Sequence, residues 1–265
     1  MALGLENEKD ARVSNDKQDF SYSKVPAVTL LFWIIKIAAT TLGETGGDAL
    51  SMSLNLGYLV STAIFAVVFA AAVAVQIRAA RFDPWLYWLT IIATTTVGTT
   101  LADFADRSLG IGYAGGSALL LALLLGSLAL WHKVLGTVAI DSIRTPKAEA
   151  FYWITIMFSQ TLGTALGDWT ADTQGLGYLG AMVIFGGLLI VVAAAYFWTR
   201  ISHTALFWTA FILTRPLGAV VGDFLDKPHE QGGLELSRFA ASGALLAFIV
   251  ICLLVFPQKP AERAH

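Results

Sequence analysis

A single cysteine, Cys252, sits in an apolar run, which excludes an intrachain disulfide and a cysteine-based metal site. Charge is also scarce: 14% of the 265 residues are Asp, Glu, Lys or Arg, against about 25% in a soluble domain. The four histidines (His132, His203, His229, His265) lie at run ends or at the terminus, and no two have metal-ligand spacing. No phosphate-binding loop, dinucleotide fingerprint, Ser-His-Asp arrangement or zinc-protease helix occurs. These absences argue against an enzyme and against ATP hydrolysis by this chain; no cofactor and no nucleic-acid partner are expected. Apolar residues are what the chain has in excess. They make up 56% of it, with a mean hydropathy of +0.68, and they come in long runs. The chain reads as a polytopic membrane protein.

The runs belong to a repeat, and a fixed period is the first thing to extract from such a sequence. Gly43, Gly98, Gly163 and Gly218 are spaced 55, 65 and 55 residues apart. Five residues after each comes an aspartate: Asp48, Asp103, Asp168 and Asp223. Ten residues before each comes a tryptophan: Trp33, Trp88, Trp153 and Trp208. Apolar runs of about 20 residues, long enough to cross a bilayer as helices, cover 26–49, 57–77, 84–105, 112–132, 149–170, 177–198, 204–225 and 237–257. The expected fold class is therefore all-α transmembrane, with eight helices as four two-helix repeats, grouped as two pairs by the longer middle link. The repeats fall at about 26–80, 81–135, 146–200 and 201–257. Residues 1–25 read as a disordered cytoplasmic tail and 258–265 as a second tail.

Lys and Arg set the expected orientation. Twelve lie in the tails and in loops between units, and only Arg107, Lys227 and Arg238 in turns within units. The positive-inside rule then places both termini in the cytoplasm. With two spans per unit, all four units point the same way, as parallel repeats about an axis along the membrane normal. The four aspartates share one depth toward the other side. Ten acids gather there against those three bases, a surface that concentrates cations.

On a helical wheel of 100° per residue, Gly43 and Gly47, Gly98 and Ala102, Gly163 and Gly167, and Gly218 and Gly222 mark one small-residue face for close helix packing. A neighbouring face carries the oxygen ligands: Glu44 and the four aspartates, supported by Thr41, Thr96, Thr99, Thr161 and Thr164. An all-oxygen set suits a hard divalent cation such as Mn²⁺, Mg²⁺ or Ca²⁺. The bland reading is that the aspartates decorate helix ends near the headgroups, where a charge costs little. Two bases break the pattern. Lys36 and Arg215 lie mid-span, where each costs about 2.5–3.5 kcal/mol unless paired. They are expected either to balance the repeat carboxylates when substrate is absent, as a gating pair, or to form a fixed salt bridge.

Thr-Leu-Gly-Glu-Thr-Gly-Gly-Asp at 41–48, followed by Leu-Gly-Tyr at 56–58, resembles a family of bacterial membrane proteins built from four copies of a short repeat of unknown function. The resemblance covers about residues 26–257. We associate that family with small manganese transporters, so the resemblance implies Mn²⁺ as substrate and Glu44, Asp48, Asp103, Asp168 and Asp223 as its ligands. The fourth unit departs from the pattern. Arg215-Pro216 replaces the Thr pair and the Gly-Tyr turn is gone, which favours a site built mainly from the first three units. The expected function is transport of a divalent metal, manganese foremost, in a bacterial inner membrane. A proton-coupled carrier of small organic cations and a non-transporting scaffold or sensor remain as rivals. Small-residue faces such as Gly186-Gly187 can support a homo-oligomer within the lipid bilayer.

Overall fold

The computed structural model describes residues 23–173 and 175–262. Among them are eight long α-helices: α1 Leu30–Asp48, α2 Gly57–Arg78, α3 Pro84–Asp103, α4 Tyr113–Leu135, α5 Pro146–Asp168, α6 Gly177–Trp198, α7 His203–Asp226 and α8 Arg238–Val255. Their starts follow from local chemistry. Thr29, Asp83, Thr145 and Ser237 cap α1, α3, α5 and α8 through their side-chain oxygens, and Pro84 and Pro146 occupy first-turn positions that need no N–H donor. The ends of α1, α3 and α5 are unusual. Each runs directly into a π-helical turn, Ala49–Ser53, Phe104–Ser108 and Trp169–Thr173, so the repeat aspartate is the last residue before the turn widens. In the fourth unit α7 instead continues to Asp226.

Helices α1, α3, α5 and α7 form a closed inner ring, each touching its two neighbours, with α1 meeting α7. The outer helices do not rest on the inner helix of their own unit. Helix α2 packs on α3, α4 on α5, α6 on α7, and α8 returns to α1. Each unit thus lends its second helix to the next, and the fourth closes the circle on the first.

Glycine sets the ring's spacing. A Cβ at Gly43 would collide with Thr95, one at Gly98 with Gln160, one at Gly163 with Arg215 and one at Gly218 with Thr40. In every case the residue met stands three before the next unit's glycine, so the four interfaces share one register. Gly47, Gly167 and Gly222 likewise lie against Thr99, Ala219 and Glu44. Gly98→Ala is therefore expected to destabilise the protein by about 1–3 kcal/mol, because its Cβ would come within 2.9 Å of the Gln160 backbone. Gly126→Ala on α4 meets nothing within 4 Å and should be neutral or stabilising, since alanine favours a helix by about 1 kcal/mol over glycine. Thermal unfolding of the two variants in detergent checks the contrast.

The inner helices present a stripe with a four-residue step, and its chemistry changes along the axis. One end is aromatic. Phe32, Tyr87, Tyr152 and Phe207 stand eleven residues before the repeat glycines and are buried together, with the Tyr87 and Tyr152 hydroxyls 2.6 Å apart. Trp88, Trp153 and Trp208 are buried in the same cluster and Trp33 packs against it. Three of the four repeat tryptophans are therefore packing residues of this aromatic end. One step on lie Lys36, Ile91, Ile156 and Phe211. Next come Thr40, Thr95, Gln160 and Arg215, then Glu44, Thr99, Thr164 and Ala219, and finally the four aspartates, all of them buried.

The terminal segments tie off the aromatic end. The Ala27 N–H donates to the Lys259 carbonyl at 2.8 Å, and the Ala261 N–H to that of Val25 at 2.8 Å. The Ser23 hydroxyl donates to the Ile140 carbonyl at 2.6 Å in the link between halves. The Lys24 ammonium meets Glu149 at 2.7 Å. These contacts correct the tail boundaries: Ser23, Lys24 and Val25 are buried parts of the fold, and residues 259–261 pair with the start of the chain. The rest of the expected N-terminal tail, 1–22, lies outside the described residues, as do 263–265.

Five helices, α2, α4, α6, α7 and α8, are long and apolar enough to cross a membrane. The outer helices leave residues such as Val67, Leu125, Val183 and Leu254 exposed, as a lipid-facing surface requires. Helices α1, α3 and α5 are more polar because they carry the Thr, Gln, Glu and Asp of the stripe, which the ring encloses. The protein is an all-α membrane protein of four parallel two-helix repeats.

Candidate functional site

Arg215 is the hub of the polar layers. Its side chain is wholly buried and fills the ring from the fourth unit. Nη2 donates to Glu44 Oε2 at 2.9 Å, to Thr99 Oγ1 at 2.6 Å and to Thr164 Oγ1. Thr99 Oγ1 donates in turn to Glu44 Oε2 at 3.2 Å. Glu44, Thr99 and Thr164 are the residues just after the repeat glycine in units one to three, and Ala219 leaves that position empty of polar atoms in unit four. The break in the fourth repeat is thus complementary to the other three: one guanidinium converges on three equivalent oxygen groups.

One layer on, bases clamp the aspartates in two crossbars. Arg107 reaches Asp103 at 2.8 Å and Asp168 at 3.6 Å. Lys227 reaches Asp223 at 3.0 Å, Asp226 at 3.9 Å and also Asp48. Arg238, at the start of α8, meets Asp226 at 2.9 Å and Asp48 at 3.9 Å. Burial alone would lower the Lys227 ammonium. The carboxylates of Asp223, Asp48 and Asp226 outweigh that and hold it well above the usual lysine range.

Carboxylate oxygens also converge on one another. Glu44, Asp48 and Asp103 each place one within 4.8 Å of the other two, and Asp48, Asp223 and Asp226 do the same. All five residues are buried, and Asp48 belongs to both groups. Oxygen donors at such spacing match what a hard divalent ion takes from protein. Formal charge points the same way. Glu44, the four aspartates and Asp226 make six acids against the four bases Arg107, Arg215, Lys227 and Arg238, so the cluster carries a formal excess of two negative charges.

Several expected roles change. Thr41, Thr96 and Thr161 turn their hydroxyls to the Ile37, Ile92 and Met157 carbonyls of their own helices, at 3.0, 2.8 and 3.0 Å. They do not join the acids. Thr99 and Thr164 belong to Arg215. Lys36 does not pair with a repeat carboxylate. Its ammonium lies 4.1 Å from the centroid of the Phe211 ring and has no hydrogen-bond partner among the described residues. Asp168 touches Arg107 and stands outside both carboxylate groups.

The sequence reading missed Arg107, Lys227, Asp226 and Arg238 as parts of the site. A signal was available for the two clamps: each stands four residues after its aspartate, one helical turn on. Units one and three carry Met52 and Asp172 at that position. Bases alternate with non-bases around the ring, so each clamp serves the aspartate of its own unit and that of the next. The tyrosines of the Gly-Tyr turns also cross units. Tyr58 lies in electrostatic reach of Asp103, Tyr113 of Asp168 and Tyr178 of Asp223. In unit four Gly233 stands at this register, and Arg238, at the start of α8, lies 3.9 Å from Asp48.

Comparison with known proteins finds one family, described as a Repeat of Unknown Function (DUF347), matching four stretches: 31–82, 86–137, 151–202 and 206–256. Each stretch spans one inner helix and the outer helix that follows it. No curated protein matches the chain. No solved structure matches it.

Proposed function

We propose, from the premise that the chain belongs to the DUF347 repeat family, that it is a membrane transporter of a divalent metal cation, manganese foremost. The observation that carries the reading is the convergence of Glu44, Asp48 and Asp103 carboxylates, buried within 4.8 Å of one another on adjacent inner helices. An arriving ion would replace part of its hydration shell with these oxygens and displace Lys227 from Asp48. The charge excess in the cluster equals that of one divalent ion, so occupancy neutralises a buried region instead of charging it. All eight helices would span the membrane, with both termini in the cytoplasm of a bacterial cell and the acid end outward. The aromatic plug would then close the inner end, and the acid layers, buried beneath their clamping bases, would lie toward the outer end, so that alternating access would require both ends to open in turn.

Asp48 is the residue to change first, because both carboxylate groups use it. Asp48→Asn is expected to weaken Mn²⁺ binding to the detergent-purified protein at least 100-fold by calorimetry. Asp172→Asn, an exposed acid on the same side, should leave it unchanged. Unaltered binding in Asp48→Asn would move the site off the ring and end the proposal. One observation favours a second reading. Tyr58, Tyr113 and Tyr178 lie in electrostatic reach of the aspartates, and aromatic rings are the groups against which organic cations sit. If tetraethylammonium displaces Mn²⁺ competitively in the same calorimeter, with a comparable constant, the organic-cation carrier gains.

A further inference from the structure

The Lys36 layer and the Arg215 layer next to it hold more buried donors without a partner than acceptors. Lys36 Nζ, Arg215 Nε and Nη1, Gln160 Nε2 and Thr95 Oγ1 are all buried without a hydrogen-bond partner among the described residues, and one acceptor, Gln160 Oε1, is unpaired beside them. Buried polar groups are nearly always satisfied, and a buried charge is paired or accompanied by an ion. Five such donors contributed by all four inner helices, on two consecutive layers of one stripe, form a pattern rather than scattered defects.

The groups also share an electrostatic imbalance. Lys36 and Arg215 are within electrostatic reach of each other. The nearest acid along the stripe is Glu44, one layer beyond Arg215, which engages it at 2.9 Å through Nη2. Arg215 thus turns one nitrogen to the acid side and leaves Nε and Nη1 unused. Lys36 has a ring face for company but no anion. Counted at formal charge, two bases stand against one carboxylate. Ile91, Ile156 and Phe211 share the Lys36 layer and are apolar, which favours a small ion that accepts from several donors without needing donors itself.

We propose that this layer binds a monovalent small anion, a halide in the simplest case, held by Lys36 and by the free edge of Arg215, with Gln160 and Thr95 completing the donors. It is separate from the carboxylate site and does not rest on the cation reading. Its place beside Arg215 gives it a role. An anion below the guanidinium balances Lys36 and leaves Arg215 committed to Glu44, so the acid layers above are held in register.

The test uses the full chain, purified in detergent with gluconate as the counter-ion and a chelator to exclude divalent metal. Sodium bromide is then titrated against matched sodium gluconate, and thermal unfolding and calorimetry are followed. Saturable binding with a rise in unfolding temperature is expected in the native protein. Lys36→Met keeps the stem length and removes the charge, so it should fold as well as or better than the native chain. It should lose the bromide effect, weakening binding at least tenfold. Gln160→Leu should weaken it by a smaller factor. A native protein that does not distinguish bromide from gluconate, or a Lys36→Met variant that keeps the full bromide response, overturns the proposal. Because no divalent ion is present, neither result bears on the metal site.

Discussion

Replacing Arg215 with methionine is expected to cost about 3–5 kcal/mol of stability, the size seen when one partner of a buried ion pair is removed. Methionine keeps the unbranched stem that fits against Gly163, so packing is largely preserved and the loss reports charge. Glu44 would be left buried with Thr99 as its remaining donor, and Thr164 would lose its contact with the guanidinium. The double variant Glu44→Gln with Arg215→Met removes the orphaned charge as well and should recover most of the loss, because two neutral groups in this position are cheaper than one unpaired acid. The measurement is chemical or thermal unfolding of the native, single and double variants in one detergent. If the double variant is as unstable as Arg215→Met alone, the guanidinium acts through shape and not through its pair with Glu44. The metal reading adds a second expectation for the same proteins: the double variant should fold well yet bind Mn²⁺ poorly, since Glu44 is one of the three converging carboxylates.

The repeat made much of this architecture legible. A glycine and an aspartate at fixed separation, recurring four times in apolar runs, were enough to give four parallel units, the small-residue packing face and a common depth for the acids. The wheel could not place the hydroxyls. It set Thr41 about 160° from Gly43 and Asp48 about 140° from it, at 100° per residue, so the two looked like neighbours. In the ring, the axial stripe steps every four residues and drifts about 40° per step. At the depth of the threonines it has therefore moved to Thr40, Thr95 and Gln160, leaving Thr41, Thr96 and Thr161 to bond their own backbones. Helix crossing decides that drift, and one helix's sequence does not contain it.

Pairing across units was hidden for a related reason. An outer helix such as α2 is apolar all round, so nothing in its pattern says which inner helix it rests on. The short Gly-Tyr turn joins it in sequence to the inner helix of its own unit, whereas in the ring it packs on that of the next. Lys36 shows the limit of charge arithmetic. A lone ammonium and a set of carboxylates within one membrane domain invite pairing. The ring separates them by two layers and puts the ammonium over Phe211.

Lys227→Met tests whether the clamps are latches or rivets. Lys227 holds Asp48 and Asp223 together, and Asp48 is shared by both carboxylate groups. Removing the ammonium leaves those acids facing one another with Arg238 alone near Asp48, so the metal-free variant should lose several kcal/mol. If an ion normally displaces Lys227, the variant already presents the displaced state and should bind Mn²⁺ about 10–100-fold more tightly. Bound metal should then restore stability, by about 2.7 kcal/mol at a concentration 100 times the Kd. Tight binding should also retard release, so transport into proteoliposomes should slow even as affinity rises. Should Mn²⁺ fail to stabilise the variant beyond its effect on the native protein, the crossbar is a fixed structural bridge and the ion does not compete for Asp48. Arg107→Met provides the internal comparison. It opens the other crossbar, between Asp103 and Asp168, where only Asp103 belongs to a carboxylate group, so the gain in affinity should be smaller. Equal gains would mean that the ring responds to net charge alone; unequal gains in this order would locate the ion on the Asp48 side.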